Sequence, residues 1–290
     1  MTEIENQVMA MRNTPMQDND WAELIELPGV TSVAADVGSL ALVPQMGEVA
    51  LYWQFTSLDS MRQHFQPMFD ELRPEIKESG VDFISMDMVQ VRDRDWIQPL
   101  LDDAHFEFFA EWLGMTHPSL EPEAVPEIPD HMQLRQAVDD DVEKMFEIWT
   151  DGYGDLVQGP GTFNHYLDSS SWIGILEDDG VIVGFAINGP VEAGTGIIFD
   201  VVIASDHWNN GYGRLMLDAA AYQLTTQDAR RAVIRVRPDI KQALRVCSNA
   251  GFRAGIGGIE YRRSTDEEAI VQMKAERRKS GVKARFGGWR

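Results

Sequence analysis

The sequence predicts a mixed α/β protein in two parts, and three observations carry that reading. Between residues 132 and 263, alternating apolar stretches and apolar residues at helical spacing follow one another in the order β-α-α-β-β-β-α-β-α-β. Pro118, Pro122, Pro126 and Pro129 fall within twelve residues, a density that excludes a helix or a central strand and reads as an extended acidic linker over 118–131. Charge changes at the same place: residues 1–130 carry 25 acidic and six basic side chains, residues 131–290 carry 22 and 19.

Composition sets the outer limits. A chain of 290 residues with 44% hydrophobic and 25% charged residues is an ordinary globular protein with room for about two domains. The net charge of −22 argues against broad nucleic-acid or anionic-membrane binding, which need a basic face. No apolar stretch approaches the length of a membrane helix, and the start lacks the basic and apolar regions of a secretory signal. The single Cys247 rules out an intrachain disulfide framework and a multi-cysteine zinc site. Together these features point to a reducing cytoplasm and to no bound metal.

In the first part (1–117), the opening twenty residues show little periodicity and are expected to be partly mobile. Val30–Ala35, Leu40–Val43 and Val49–Phe55 are strand-like. Ser57 and Asp59 suit the start of a helix from about Leu58 to Glu78, interrupted at Pro67 and Pro74. A strand over Phe83–Val89, a short helix over Trp96–Ala104 and a strand over Phe106–Leu113 complete it.

In the second part (132–265), Met132–Val138 alternates as a strand, and Asp139-Asp140-Asp141 supplies a cap and first-turn acids for a helix to about Thr150. Gly152, Gly154, Gly159, Pro160 and Gly161 mark a flexible loop, followed by a short helix around Phe163–Leu167. Two apolar runs flank Glu177-Asp178-Asp179-Gly180, a hairpin turn. Ile197–Ala204 is a strand, a helix opens near Gly211, Ala232–Arg237 is a strand, and Ile240–Ala250 is a helix ended by Gly251. Gly258–Arg263 is the last strand. Residues 266–290 form a basic helix or tail, with seven basic residues and one acidic among the final twenty.

The chemistry concentrates where the strand ending at Ala204 meets the helix opening at Gly211. The first amides of a helix have no intrahelical partner, and with the helix dipole they attract anions. Glycine lets a phosphate approach the backbone without a Cβ clash. Asn209, Asn210, Gly211, Tyr212, Gly213 and Arg214 therefore read as a cradle for a pyrophosphate, or alternatively as an ordinary tight turn. Nine basic residues between Arg230 and Arg263 give the same half a place for a polyanion.

Residues 131–265 resemble the GNAT N-acetyltransferase superfamily. The family loop Arg/Gln-x-x-Gly-x-Gly/Ala is matched by Trp208-Asn209-Asn210-Gly211-Tyr212-Gly213, and the following signature by Ala243 and Gly251-Phe252 at the right distance. Three positions depart from the pattern: Trp208 stands for the Arg or Gln, Ile240 for an Asn, and Cys247 for a frequent Tyr. The resemblance implies the GNAT fold and transfer of an acetyl group from acetyl-coenzyme A, as co-substrate, to an amine on a small molecule or peptide. It implies that the backbone of Val202, Ile203 and Ala204 holds the pantetheine arm at a splayed strand pair. It also implies an acceptor site near Asp151, Tyr153 and His165.

Direct attack needs a neutral amine, hence a base. Asp200, charged within an apolar strand, is the candidate, although it could instead bind the amine as a counter-charge or face a solvated edge. Cys247 is a candidate acid for the leaving thiolate or, alternatively, a small buried hydrophobe. The acidic composition favours a cationic acceptor. The first part repeats a related element order, and Asp103-Ala104-His105-Phe106 parallels Asn249-Ala250-Gly251-Phe252. It has no glycine between Glu48 and Ser79, which fits a degenerate GNAT-like copy in a tandem, or an unrelated α/β domain. The competing function is a non-catalytic coenzyme A-binding or protein-interaction module built from two degenerate copies. An oligomer is compatible with all of these readings.

Overall fold

A computed structural model describes residues 11–45, 48–78, 81–90, 95–120, 126–153 and 160–266, without the side chains of 160–162 and 165. Two compact units are present: residues up to Phe109 with those from Glu260 onward, and Ala110–Ile259.

The first unit contains β1 (Met11–Arg12), α1 (Asp18–Ile25), β2 (Thr31–Ala35), β3 (Gly38–Gln45), β4 (Glu48–Phe55), α2 (Leu58–Glu78), β5 (Phe83–Val89) and α3 (Gln98–Asp103). β2, β3 and β4 form an antiparallel meander, and β4 pairs in parallel with β5 at Val49–Ile84 and Ala50–Ser85. β1 and α1 occupy part of the stretch expected to be mobile; Trp21 explains the order there, because it is buried against Ala41 and Val43. The expected interruption of α2 does not occur. Pro67 and Pro74 lie inside one 21-residue helix. Two internal prolines cost about 6 kcal/mol. Burying Met61, Phe65, Met68, Phe69, Leu72 and Ile76 contributes about 9 kcal/mol even at the low end, so packing wins.

β6 (Glu107–His117) enters the second unit from Ala110. That unit continues with β7 (Met132–Gln136), α4 (Val142–Tyr153), α5 (Pro160–Asp168), β8 (Trp172–Asp178), β9 (Val181–Glu192) and β10 (Thr195–Ile203). It ends with α6 (Tyr212–Thr225), β11 (Arg231–Val236), α7 (Lys241–Asn249) and the first residues of β12 (Arg253–Ser264). Strand order is β7-β8-β9-β10-β11-β6. β10 and β11 are parallel, as a strand–helix–strand crossover through α6 requires; the other pairs are antiparallel. Asp179 and Gly180 both have positive φ, giving the expected tight hairpin.

The unit boundary differs from the proline-rich stretch read in the sequence. Leu113–His117 pair with Val236–Ala232, so hydrogen bonds over more than a hundred intervening residues place β6 in the second unit. Of the expected linker, 121–125 lie outside the described residues. Leu120 donates its N–H to Arg230 O at 2.7 Å, and Leu120 and Ile128 pack on the second unit's core. The basic tail from 267 lies outside the described residues.

The two units share local geometry. Each has a parallel strand pair joined through a helix. After α3, His105 takes a positive φ and Phe106 N–H bonds Leu101 O at 2.8 Å; after α7, Gly251 takes a positive φ and Phe252 N–H bonds Cys247 O at 3.0 Å. This is the same left-handed helix termination at the two places paralleled in sequence.

Candidate functional site

In the second unit β10 runs beside β11 only from Thr195–Arg231 to Ile198–Ile234. Beyond that point β10 stays with β9 and β11 stays with β6, so the two strands part. A bulge lies at the parting: Ile198 pairs with Asn188 and Asp200 with Ile187, leaving Phe199 extra. A cavity of about 480 Å³ opens there, with Asp200, Ile203, Trp208, Gly211, Arg237 and Cys247 in its walls.

Ala204 N–H bonds Val183 O, and antiparallel alternation therefore turns the backbone of Val202 and Ala204 toward β9. Val201 and Ile203 turn theirs toward the opening. Of the three residues expected to hold a pantetheine arm, Ile203 alone presents its backbone there; Val201, which was not singled out, does so too. Val202 packs its side chain into the α4 side of the core, and Ala204 and Asn210 are not among the residues lining the cavity.

The loop after β10 forms a 3₁₀ turn at Ser205–His207, then bends through Asn209 (φ 67°) and Gly211 (φ 87°) into α6. Arg214 and Leu215 N–H both bond Gly211 O. Among the described residues, the N–H groups of Asn209, Asn210, Gly211, Tyr212 and Gly213 find no acceptor. A Cβ on Gly211 would meet nothing within 4 Å, so the space before these amides is open. Asp151, expected near an acceptor, is bonded to this loop: its Oδ2 accepts Ser205 N–H at 2.9 Å, which holds the carboxyl below its usual range and ties α4 to the loop. Arg214 lines the cavity, but its amide bonds Gly211 O and its guanidinium is held by Asp218 and Asn249 O. Tyr212 donates to Asp178 Oδ2 at 2.5 Å, fixing the first turn of α6 to the end of β8.

Trp208 is 52% exposed, and its indole Nε1 donates to Ile203 O at 2.7 Å. It therefore occupies one backbone acceptor on the open edge of β10.

Asp200 is 7% exposed. Its Oδ2 accepts from Trp149 Nε1 at 2.8 Å and Tyr153 OH at 3.0 Å, and its Oδ1 from Val201 N–H at 3.0 Å. Burial raises its pKa from 3.8 to about 6, against the three donors, which lower it. Burial and the Asp200 charge push the Tyr153 phenol well above its usual value, so it stays protonated and donates. These side chains are placed by α4, whose start is clamped by Arg135: the guanidinium bonds Asp141 at 2.6 and 2.7 Å and Glu177 at 2.7 and 2.9 Å. Asp141 also accepts Val138 N–H at 2.8 Å, so of the three expected capping acids it is this one that holds the turn before α4. Trp149 was missed in the sequence because, fully buried at helical spacing, it reads as core; its partner is 51 residues away.

Cys247 is buried, and desolvation lifts its thiol to about 11. The backbone of His165 lies on α5; its side chain lies outside the described residues. Among the described residues no group of three or more His, Cys, Asp or Glu is arranged to hold a metal ion, and no helix is long and apolar enough to cross a membrane.

In the first unit the corresponding helix start is capped by its own serines. Ser57 Oγ accepts Ser60 N–H at 3.1 Å, Ser60 Oγ accepts Ser57 N–H at 3.0 Å, and Met61 N–H bonds Ser57 O. Among the described residues, two adjacent N–H groups there, those of Leu58 and Asp59, find no acceptor, against five before α6.

Residues 134–252 match the family model described as Acetyltransferase (GNAT) family. Among solved structures, the chain is similar to a GCN5-related N-acetyltransferase from Sphaerobacter thermophilus (14% identity, TM-score 0.54, 85% of each chain covered). It is also similar to a tandem GNAT protein from the clavulanic acid biosynthesis pathway (12%, 0.53, 82% of this chain and 84% of that one). A conserved protein of unknown function from Staphylococcus epidermidis aligns at 9% identity with a TM-score of 0.55, covering 82% and 96%. No curated protein matches. At such identities the structures establish the fold. The match of residues 134–252 to the Acetyltransferase (GNAT) family model and the likeness to these structures together establish the GNAT fold for this chain.

Proposed function

We propose that the second unit is an acetyl-coenzyme A-dependent N-acetyltransferase and that the first unit is a degenerate GNAT-like copy without a cofactor site. The observation that carries the reading is the row of five open amides from Asn209 to Gly213, beside a strand pair that parts at a buried carboxylate. The amides and the dipole of the 14-residue α6 suit a diphosphate. Val201 O and Ile203 N–H, on the open edge, suit the amides of a pantetheine arm and would bring the thioester to Asp200.

Asp200 takes one proton from the acceptor ammonium. The freed nitrogen lone pair attacks the thioester carbonyl, forming C–N. The C–S bond breaks, the thiolate leaves, and the second nitrogen proton passes to sulfur. Asp200 returns its proton to solvent. A carboxyl at about 6 is a better acceptor than one at 3.8, by about 3 kcal/mol toward an amine. Cys247 has no part in this sequence. A thiol at about 11 would donate uphill by about 3 kcal/mol to an ordinary thiolate, and the nitrogen already supplies the proton.

The test is thiol release from acetyl-coenzyme A with a library of amines. Turnover that survives Cys247→Ala and is lost in Asp200→Asn supports the assignment. Absence of turnover, with no thermal shift at millimolar coenzyme A, favours the non-catalytic reading. One observation stands behind that second reading: the Trp208 indole already holds Ile203 O.

A further inference from the structure

We infer that the acceptor carries a carboxylate beside its amine, as a free amino acid does, and that Arg237 binds it; this rests on the transferase reading above. Strand alternation divides the cavity. Ala232, Ile234 and Val236 are buried in the core shared with α6 and α7, so Arg235 and, one step past the strand, Arg237 turn to the opposite face. That is the face of α4, where Asp200 accepts from Trp149 and Tyr153. The open amides and Cys247 lie with α6 and α7. The donor's phosphates and the acceptor thus meet different walls.

On the acceptor wall, the charges lining the cavity are Asp200, Arg235, Arg237 and Asp239. Asp200 is the partner for an ammonium. Arg235 has its Cζ over the Trp112 ring, 4.2 Å from the centroid, which fixes it as part of the wall. Arg237 lines the same cavity as Tyr153 and Asp200. Its Nε and Nη2 bond Asp239 at 3.1 and 2.5 Å, while Nη1 has no partner among the described residues. Asp239 is 64% exposed, and a solvated carboxylate offsets a neighbouring cation only weakly. One guanidinium edge remains for an anion, and its two parallel N–H groups suit a carboxylate. The chain's net charge of −22 points to a polycationic acceptor. The wall itself balances two guanidiniums against two carboxylates, so once Asp200 is matched to one ammonium it carries no net negative charge to draw a second.

The experiment compares phenylalanine with phenethylamine, and leucine with isopentylamine, at saturating acetyl-coenzyme A, with O-phosphoethanolamine and spermidine as further arms. A charge-assisted bond to the carboxylate gives the amino acids a kcat/KM advantage of about 10- to 100-fold. In Arg237→Ala that ratio falls to about threefold or less, through KM, with Arg237→Lys between the two. A binding arm needs no turnover: N-acetylphenylalanine titrated into the protein–coenzyme A complex binds at least about tenfold tighter to the natural protein than to Arg237→Ala. Equal rates for amine and amino acid, a preference for spermidine or the phosphoamine, or a preference unchanged in Arg237→Ala overturns the proposal. If no amine is turned over but N-acetylphenylalanine binds in an Arg237-dependent way, the carboxylate site stands and the transferase reading falls. If coenzyme A binds and neither occurs, both fall.

Discussion

Asp200→Asn separates the cost of burying this carboxylate from everything else in the fold. In the folded protein the carboxyl keeps its proton up to about pH 6; in the unfolded chain it releases it near 3.8. Between those values the folded state binds more protons, so stability falls as pH rises. The contribution is fully present below about pH 4 and lost above about pH 6. The displacement from 3.8 to about 6 corresponds to about 3 kcal/mol. The asparagine is neutral throughout. Its amide oxygen still accepts from Trp149 and Tyr153, but its NH₂ faces the Val201 N–H that Oδ1 accepted, a loss of about 1 kcal/mol. The variant is therefore expected to be about 1 kcal/mol less stable than the natural protein at pH 4 and about 2 kcal/mol more stable at pH 8. Urea unfolding of both proteins across that range reads the difference. The comparison must be between proteins, because burial raises Glu260 in the first unit to about 7 and gives the natural chain a slope of the same sign. A pH-independent difference would refute the buried, proton-holding carboxyl. Activity should fall about 10²- to 10⁴-fold at pH 8 while stability rises, as for a lost general base.

Three further expectations concern the same site. Gly211→Ala places a Cβ on a residue at φ 87°, costing about 1–2 kcal/mol of stability by thermal unfolding; coenzyme A affinity by calorimetry should fall at least about tenfold as the bend relaxes. Trp208→Phe releases Ile203 O from the indole; because the pantetheine is assigned to Val201 O and Ile203 N–H, coenzyme A affinity by calorimetry should change by less than about twofold, and binding weakened about tenfold or more would mean the indole is part of the cofactor site. Trp149→Phe removes a donor that lowers Asp200, so the acidic limb of the kcat/KM profile should move to higher pH, whereas a purely structural role would lower the rate without moving the limb.

The second unit was legible in the sequence where local chemistry decided the outcome. The Asp179-Gly180 hairpin, the glycine entry to α6 and the Gly251 exit from α7 each follow from a residue that takes a positive φ. The bend into α6 was legible for the same reason, though the extent of its open amides was not: Arg214 looks like part of the loop until its N–H is seen bonding Gly211 O. Long-range pairing hid the rest. β6 belongs with β11 through backbone bonds that no local pattern announces. The Asp200 cluster draws on α4 through Trp149, whose spacing shows only an apolar helix face, and through Tyr153, which was expected near the acceptor but with no visible link to Asp200. α2 shows a local rule overruled, since two prolines mark breaks that six buried side chains do not permit.

The most direct test is a crystal structure with coenzyme A bound. Diphosphate oxygens are expected within about 2.7–3.2 Å of the backbone nitrogens of residues 209–213, with the pantetheine along Val201 and Ile203 and the thiol pointing at Asp200. Coenzyme A at millimolar concentration leaving those amides bare, or seated anywhere else on the chain, would contradict it.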